Sequence, residues 1–321
     1  MPLWLSERDV RAALSMRELI EAMESALIAF SSGRVVQPVR ITLELRERAF
    51  FALMPAYDKE LALFGAKLVT VIPENHGTAL PSHQAIISLS EPATGELLAL
   101  MDGRYITEAR TAAVSAVSVR HLARKDAAVL GIIGSGVQAH SHVLALPLVR
   151  AFREIRAWSP HPAHLQQFAA GAGASVRAAG SAEEAVRGAD VVVLATASVS
   201  PVIEDSWVAA GTHVIGVGAC RPTQREMDPA LVARSYLVVD SRAAAIEESG
   251  DILLAMQEGR FGEDHIGAEL GEVACGVKRG RVKADEVTVF KSLGLAIEDV
   301  VSAGLAYRSA RKTGRGTQIA L

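Results

Sequence analysis

The sequence predicts an α/β protein whose larger part is a doubly wound parallel sheet. From residue 127 onward, short apolar strands alternate with helices, which is typical of parallel sheets. The first of those strands runs directly into a glycine-rich turn that begins at Gly134. Before residue 102, strand-like segments follow one another with short turns, after an N-terminal helix. The chain therefore combines a meandering sheet with a parallel one.

Length, charge and cysteine content narrow the class of protein. A chain of 321 residues that is 50% hydrophobic and 21% charged predicts a globular protein of about two domains. A net charge of −3 argues against a nucleic-acid partner. The N-terminal residues lack the basic and apolar regions of a signal peptide, and no apolar stretch approaches the ~18 residues of a membrane span. Two cysteines, Cys220 and Cys275, fit a reducing compartment, so we expect a cytoplasmic protein without a membrane partner.

The first third of the chain predicts two helices around a set of strands. Ser6 to Asp9, placed before an apolar pattern, is typical of a helix start. A second helix is predicted over 16–30, where apolar residues recur at helical spacing. Strands are predicted over 40–45, 50–55, 65–72, 84–90 and 97–101. A long alanine-rich helix over 107–122 then leads into the second part.

The remainder predicts the alternation of a doubly wound sheet. Strands are predicted over 128–133, 155–158, 191–195, 213–217 and 236–239, with helices over 162–170 and 181–187. A final helix is predicted over 295–309. The polar tail over 312–316 predicts an irregular end.

The glycine-rich turn has the spacing of a dinucleotide-binding fingerprint, with Gly134, Gly136 and Ala139 at its three small positions. Gly134 permits a tight turn from strand to helix, and Gly136 lets backbone N–H groups approach a pyrophosphate. The small Ala139 allows close packing of helix on strand, and the helix N-terminus, which begins with Val137 and Gln138, faces the anion. A plain turn without a ligand is the alternative.

The end of the second parallel strand bears on which cofactor is bound. Enzymes that use NAD place a carboxylate there for the ribose hydroxyl groups, whereas this chain has the segment 158–161 with no acid. Ser159 and His161 can accommodate a 2′-phosphate, with Arg177 nearby, so the sequence favours NADPH over NADH. His161 as a solvated loop residue is the alternative, and a flavin is a weaker candidate than either nicotinamide.

Three cations stand out in the first part because apolar segments surround them: Arg40, Lys67 and Arg110. A buried cation is costly unless it is paired. If the three converge, they form a site for a carboxylate, to which arginine presents two parallel donors. Periodicity alone leaves open whether each is merely a surface residue.

Several segments resemble the ornithine cyclodeaminase/mu-crystallin family, in order and over nearly the whole chain. They are residues 65–69, 80–85, 100–103, 110–116, 134–139 and 290–294. Within that family, segments 217–222, 225–226, 248–251 and 268–273 are similar to ketimine reductases of the mu-crystallin type.

The resemblance implies the architecture and the assembly. A Rossmann-type doubly wound parallel sheet, over 119–291, is inserted into a smaller α+β domain formed by 1–118 with 292–321. The smaller domain binds the substrate and forms a homodimer.

The resemblance also implies roles for individual residues. Arg40, Lys67 and Arg110 hold the substrate carboxylate, and Cys220 and Glu248 lie at the substrate pocket. The turn over 291–294 closes over cofactor and substrate. Further cofactor contacts are implied for Ser82, His83, Arg110, Thr196, Val217, Ser292 and Gly294.

Two departures from the family pattern narrow the activity. Cyclodeaminases carry carboxylates at the positions of Ala52 and Cys220, and those groups suit the deprotonation of an amino acid's ammonium. Their absence favours NAD(P)H-dependent reduction of cyclic ketimine carboxylates, from Δ1-pyrroline-2-carboxylate to L-proline or from Δ1-piperideine-2-carboxylate to L-pipecolate. Lys67 is the candidate catalytic residue, polarising the substrate or relaying the proton.

Other interpretations of the sequence stay open. An amino-acid dehydrogenase or ornithine cyclodeaminase of the same family is the second enzymatic hypothesis, and a non-catalytic NADPH-dependent small-molecule binder is the alternative of another class. Cys220 is more consistent with a small neutral filler than with a reactive thiol. His140 and His142, two residues apart on a helix, point to different faces and predict no metal site.

Overall fold

The structure, a computed structural model, describes residues 1–47, 49–75, 77–173 and 176–320. It divides into two compact units, of which the first comprises Met1–Arg110 with Leu295–Leu321 and the second comprises Thr111–Gly294. The domain boundaries that the resemblance implies lie at 118 and 291, a few residues from these divisions.

The elements up to the long helix begin with a short strand and two helices. They are β1 (Leu3–Leu5), α1 (Glu7–Ala13), α2 (Met16–Ser31), β2 (Val35–Val36), β3 (Ile41–Arg46), β4 (Ala49–Asp58), β5 (Leu63–Val71), β6 (His83–Ser90), β7 (Leu97–Asp102) and α3 (Arg104–Leu122). The predicted start of α1 is confirmed, because Ser6 Oγ accepts a hydrogen bond from Asp9 N while Asp9 Oδ2 accepts one from Ser6 N.

The following elements alternate between strand and helix as predicted. They are β8 (Val129–Ile133), α4 (Val137–Ala145), β9 (Glu154–Trp158), α5 (Pro162–Gly171), β10 (Val176–Ala178), α6 (Ala182–Val186), β11 (Val191–Leu194), β12 (His213–Gly216), α7 (Pro229–Arg234), β13 (Tyr236–Val239), α8 (Arg242–Glu248), α9 (Gly250–Gln257), β14 (Ile266–Glu269), α10 (Leu270–Ala274), β15 (Thr288–Lys291), α11 (Ala296–Thr313) and β16 (Thr317–Gln318). None of the helices in the described ranges is long and apolar enough to span a membrane.

The first unit is built on a mainly antiparallel sheet covered on one face. Among the described residues its order is β16-β1-β7-β6-β5-β4-β2, and β3 pairs with β4. Helix α11 packs on β4, β5 and β6. Glycines permit that close approach, since a Cβ at Gly65 would come within 2.2 Å of Ser88 O and one at Gly304 within 3.1 Å of the Leu63 side chain.

The end of the chain corrects the sequence analysis. The expectation of an irregular segment over 312–316 is wrong for its first two residues, because α11 continues to Thr313 and ends with Gly314 in the left-handed conformation, at φ 66°. Strand β16 then pairs antiparallel with β1, so that Leu3 lies opposite Gln318. Such short strands show no periodicity, and their pairing depends on the two ends of the chain meeting.

The second unit is a parallel sheet with the order β10-β9-β8-β11-β12-β15-β13-β14 in the described part of the chain. Its central strands are buried on both faces, as valine-rich parallel strands are. The sequence analysis missed β10, β14 and β15. Strand β8 lies between β9 and β11, which makes the carboxyl ends of β8 and β11 the switch point where such sheets bind ligands.

Candidate functional site

The inner face of β5 carries a buried lysine inside a cluster of charges. Lys67 is 2% exposed, and its Nζ lies 2.6 Å from Asp299 Oδ2. The other oxygen of Asp299 accepts a hydrogen bond of 3.2 Å from Arg110 Nε, and Arg110 Nη1 donates to Glu298 Oε2 at 2.8 Å. We call Lys67, Arg110, Glu298 and Asp299 the Lys67 cluster. All four side chains belong to the first unit.

Burial and neighbouring charges pull the Lys67 ammonium in opposite directions. Burial lowers the pKa of Lys67, Asp299 opposes that effect, and the charges of Arg110 and Arg40 lower it further, to about 8. Burial alone would raise the pKa of Asp299, but Lys67 and Arg110 hold it below its usual value. Lys67 is therefore a cation at neutral pH whose proton leaves more readily than that of an ordinary lysine.

The three predicted cations lie together in the first unit. Lys67 and Arg110 share Asp299, while Arg40 is half-buried and close enough for its charge to lower the pKa of Lys67. The alternative that each cation is an isolated surface residue is wrong for Lys67 and Arg110, which are 2% and 5% exposed.

Sequence analysis missed the two acids of the cluster. Glu298 and Asp299 lie in the first turn of α11 and are fully buried. Acids are common at a helix N-terminus because they complement the helix dipole, so the pattern gave them no distinct signal.

Ser82 and His83, the implied cofactor contacts of the first unit, stand at the start of β6. Both are half-buried, and Ser82 O accepts a hydrogen bond from Ile72 N at 2.7 Å. Burial, followed by the charges of Lys67 and Arg110, lowers the pKa of His83 to about 4. The imidazole is therefore neutral at neutral pH and adds no charge beside Lys67.

The glycine turn has the geometry that the fingerprint predicts. Gly134 adopts φ 125°, and its N–H donates to Trp158 O at 2.8 Å. Gly136 caps α4, and a Cβ built on it would meet nothing within 4 Å, so the approach to the helix N-terminus is open. Ala139 is fully buried, consistent with its packing role. This backbone fits a pyrophosphate.

The two residues at the start of α4 differ in exposure. Val137 is exposed, whereas Gln138 is half-buried. Within the described residues, Gln138 Oε1 is a buried acceptor without a hydrogen-bond partner. Such an acceptor suits a hydroxyl donor and not a phosphate oxygen.

Two of the three candidate residues for a 2′-phosphate, Ser159 and His161, lie at the end of β9. Ser159 is buried and its Oγ accepts from His161 N, while His161 is exposed and caps α5. Arg177 lies on β10, opposite Arg156 of β9, and Arg156 is two residues before the end of β9. The Arg177 guanidinium pairs with Glu184 at 2.6 Å. The expectation that Arg177 lies near this end is therefore wrong.

A second cluster of buried charges braces the loops after β11 and β12. Glu226 accepts from Thr196 N, Thr196 Oγ1, Gly218 N and Ala219 N at 2.6–3.0 Å. Asp251 accepts from Glu226 N at 2.7 Å and pairs with Lys291 Nζ at 2.8 Å. We call Glu226, Asp251 and Lys291 the Lys291 network. Thr196 is a predicted cofactor contact, and in this structure its hydroxyl donates a hydrogen bond to Glu226.

The remaining predicted residues of the second unit lie on loops or helix ends. Val217 is buried, and Cys220 Sγ donates to Val217 O at 3.4 Å while packing against the core of the sheet. Glu248 is half-buried at the end of α8. The Cys220 contacts agree with a packing role for its side chain.

The turn after β15 is held by an acid that sequence analysis missed. Ser292 Oγ, Leu293 N and Gly294 N all donate to Asp240 Oδ2, at 3.3, 2.6 and 2.7 Å. Asp240 directly follows β13 and is fully buried. An acid placed immediately after a buried strand is a signal that could have found it.

The two histidines of α4 face different surroundings. His140 packs edge-on against Phe168, and His142 is fully buried, with Nε2 at 2.8 Å from Ser115 Oγ. Across the described ranges, no group of three or more histidine, cysteine, aspartate or glutamate side chains could hold a metal.

A doubly wound parallel sheet with a glycine turn open at its switch point defines the second unit as a dinucleotide-binding domain of the Rossmann class. The same chain carries the Lys67 cluster in its first unit. The model of the ornithine cyclodeaminase/mu-crystallin family matches residues 2–314. The chain belongs to this family.

Relatives of known activity cover nearly the whole chain. The ketimine reductase mu-crystallin of Mus musculus is 43% identical over 313 residues, which are 96% of this chain and 97% of that protein. The Δ1-pyrroline-2-carboxylate reductase of Thermococcus litoralis, solved with NADH and L-proline, superposes with a TM-score of 0.96 at 40% identity, covering 99% of this chain and 100% of that one. An archaeal alanine dehydrogenase dimer with bound NAD has a TM-score of 0.94 at 34% identity, with 99% of each chain covered.

Proposed function

We propose that this chain is an NAD(P)H-dependent oxidoreductase that reduces the C=N bond of cyclic ketimine carboxylates. The substrates are Δ1-pyrroline-2-carboxylate, which gives L-proline, and Δ1-piperideine-2-carboxylate, which gives L-pipecolate. The observation that carries the proposal is the Lys67 cluster, a buried lysine of lowered pKa beside arginines. Relatives of this chain are named for the same class of reaction, which supports it.

The substrate carboxylate is bound by Arg40 and Arg110. The bonds to Glu298 and Asp299 engage Nη1 and Nε of Arg110. Those two bonds hold the guanidinium plane in a fixed orientation, so that it presents a rigid edge to a carboxylate. Binding by arginine therefore orients the ring and places its C=N bond toward Lys67.

Lys67 supplies the proton that the reduction consumes. The bound nicotinamide supplies a hydride to the imine carbon when present. The imine nitrogen takes one proton from the Lys67 ammonium, so that the C=N bond becomes CH–NH and Lys67 becomes a neutral amine. A donor of pKa about 8 suits this step, because it is charged at neutral pH yet releases its proton more readily than an ordinary lysine.

The cofactor is held by the glycine turn of the second unit. The N–H groups at the start of α4 receive the pyrophosphate, and the open space at Gly136 permits its approach. Gln138 Oε1 accepts from a ribose hydroxyl. Ser159 and His161, with no acid at the end of β9, favour NADPH over NADH.

Cofactor preference is tested by comparing kcat/KM for NADPH and NADH. We expect wild type to prefer NADPH and His161→Asp to lose that preference by about tenfold, because a carboxylate repels a phosphate and accepts from a ribose hydroxyl. His164→Asp, one turn into α5, is the matched control. A preference for NADH in wild type would contradict the choice of cofactor and leave the reaction itself in place.

We propose a homodimer that forms through the outer face of the first unit's sheet. An apolar row crosses four strands, with Ile41 opposite Leu53, Leu53 opposite Leu68, and Leu68 opposite Ile86. Ile41, Leu68 and Ile86 are each more than 40% exposed. An apolar patch of this kind on a sheet suits a second copy of the same face.

Analytical ultracentrifugation tests this assembly. We expect wild type to sediment as a dimer and Leu68→Glu as a monomer, because the variant places a charge in the apolar row. Val282→Glu, an exposed apolar residue of the second unit, is the control and should stay dimeric. A dimeric Leu68→Glu or a monomeric wild type contradicts the proposal.

We place the protein in the cytoplasm. Neither Cys220 nor Cys275 forms a disulfide in the described part of the chain, as expected in a reducing compartment. Cell fractionation tests this, and recovery of the protein outside the cytoplasm contradicts it.

The reaction is tested by following loss of the reduced-nicotinamide absorbance with purified protein. We expect rapid oxidation of NADPH with Δ1-pyrroline-2-carboxylate or Δ1-piperideine-2-carboxylate, and the ratio of kcat/KM values ranks the two rings. Tight NADPH binding without oxidation indicates a small-molecule binder and overturns the proposal. NADP⁺ reduction by alanine, or ammonia release from ornithine, without imine turnover indicates the dehydrogenase or the cyclodeaminase.

A further inference from the structure

The acid that touches Lys67 comes from a helix more than 200 residues away in sequence, and it touches a second cation as well. Asp299 Oδ2 lies 2.6 Å from Lys67 Nζ, and Asp299 Oδ1 accepts from Arg110 Nε at 3.2 Å. Both oxygens are therefore committed, and the side chain is fully buried. Asp299 links the proposed proton donor to the proposed carboxylate ligand.

The start of α11 is also held by bonds that do not involve the charged groups of the Lys67 cluster. Ile297 N donates to Gln37 Oε1 at 2.9 Å, and Ser302 Oγ donates to Glu298 O at 2.6 Å. These bonds fix the first turn of the helix, so the Asp299 carboxylate has a defined place against β5. A lysine has a flexible stem, and a fixed anion at its end selects one position for the ammonium.

We propose that Asp299 is a positioning residue, which holds the Lys67 ammonium in place and keeps it charged until the imine nitrogen takes its proton; the inference rests on the proposed reduction. The groups that face Lys67 come from four elements. Asp299 on α11 is the anion among them, Arg110 on α3 and Arg40 before β3 are cations, and His83 on β6 is neutral. Without the anion, two positive charges face a buried ammonium, which then loses its proton at lower pH.

The residue at position 52 adds a reason why Asp299 carries this role here. Ala52 is opposite Val69 on β5, and Met54 is opposite Lys67, so Ala52 lies diagonally across from Lys67 on the same buried face. An acid at position 52 would offer Lys67 a second carboxylate. With alanine there, Asp299 is the carboxylate that the structure pairs with Lys67.

The test is the pH dependence of kcat for imine reduction. Wild type should lose activity above about pH 8, as Lys67 loses its proton. Asp299→Asn should move that alkaline limb down by about one pH unit or more and lower kcat at pH 8 at least about fivefold, with a smaller change in KM. Lys67→Arg should lower kcat strongly and leave a residual rate without that limb, because a guanidinium keeps its proton.

Glu298→Gln is the matched control, since Glu298 is the neighbouring buried acid and contacts Arg110 instead of Lys67. It should raise KM and leave the alkaline limb in place. A limb that does not move in Asp299→Asn, moves equally in Glu298→Gln, or persists in Lys67→Arg overturns the inference. If Asp299→Asn does not fold, Asp299→Ser, which also removes the anion, replaces it, and an unmoved limb there likewise overturns the inference. These failures occur with an active wild type; a wild type inactive at every pH overturns the proposed function as well.

Discussion

The two units each bury a lysine against an aspartate, and the two lysines differ in the strength with which they hold their protons. Lys67 Nζ lies 2.6 Å from Asp299, and Lys291 Nζ lies 2.8 Å from Asp251. Burial lowers the pKa of both. At Lys67 the nearby arginines lower it further, to about 8, whereas at Lys291 Asp251, Cys220 and Glu226 raise it to about 12.

Both lysines have an ion pair, so the charges of the other neighbours decide which lysine is a proton donor and which is a structural cation. Lys291 faces two carboxylates and also donates to Ala219 O at 2.5 Å, so its proton is fixed and its ammonium holds the loop after β12. Lys67 faces one carboxylate and two other cations, so its proton is mobile. We therefore expect Lys67 to act in proton transfer and Lys291 to stabilise the fold.

The largest expected effect is on turnover in Lys67→Met. We expect kcat for imine reduction to fall by about 10²–10⁴-fold, because the proton donor is lost. The free energy of unfolding should fall less than in Lys291→Met, since Asp299 keeps its bond to Arg110 and one repulsive cation is removed. Steady-state kinetics and thermal unfolding measure the two effects. Near-normal turnover would remove Lys67 from the mechanism.

The converse is expected of Lys291→Met. This substitution leaves Asp251 and Glu226 buried without their cation, which costs about 3–5 kcal/mol of unfolding free energy. Denaturant unfolding should show that loss, while kcat measured under conditions where the variant is folded should fall far less than in Lys67→Met. Equal stability of the two variants would erase the distinction between the lysines.

The smallest expected effect separates buried histidines from exposed ones. Burial lowers the pKa of His142 to about 4 and that of His213 to about 3, against about 6.5 in the unfolded chain. Below pH 6.5 these histidines bind protons in the unfolded state but not in the folded state. The free energy of unfolding therefore falls as the pH drops toward the pKa values of the folded state. The loss amounts to about 2 kcal/mol per histidine at pH 5.

Unfolding free energies at pH 7 and pH 5 test this. His142→Gln should show a smaller loss between the two pH values than wild type, whereas the exposed His164→Gln should match wild type. Identical losses in wild type and His142→Gln would show that His142 is not the titrating group.

Local patterns were predictable from sequence, and distant pairings were not. The spacing from Gly134 to Ala139 is complete within six residues, so strand, turn and helix could be predicted together. Asp299 bonds to Arg110 across 189 residues, and the acids of α11 resemble ordinary first-turn acids. Strand β15 has four residues, all buried, and so shows no alternation that would predict a strand or place Lys291 on it.

The resemblance supplied what the residues alone left open. Periodicity could not decide whether Arg40, Lys67 and Arg110 converge, since each stands in a different segment. The family pattern implies that the three cations converge and that Ala52 stands where cyclodeaminases have a carboxylate. The position of Arg177 could not be predicted from the sequence, because it lies on β10, a strand of three residues. That strand places Arg177 beside Arg156, away from the end of β9, where it pairs with Glu184.

The most direct test of the proposed imine reduction is isotope transfer from NADPH into the product. Protein, Δ1-pyrroline-2-carboxylate and NADPH deuterated at the transferring position are incubated in ordinary water, and the product is analysed by NMR and chiral chromatography. We expect L-proline with one deuterium at C2 and one equivalent of NADP⁺. Proline without deuterium at C2, or an unchanged imine beside bound cofactor, would contradict it.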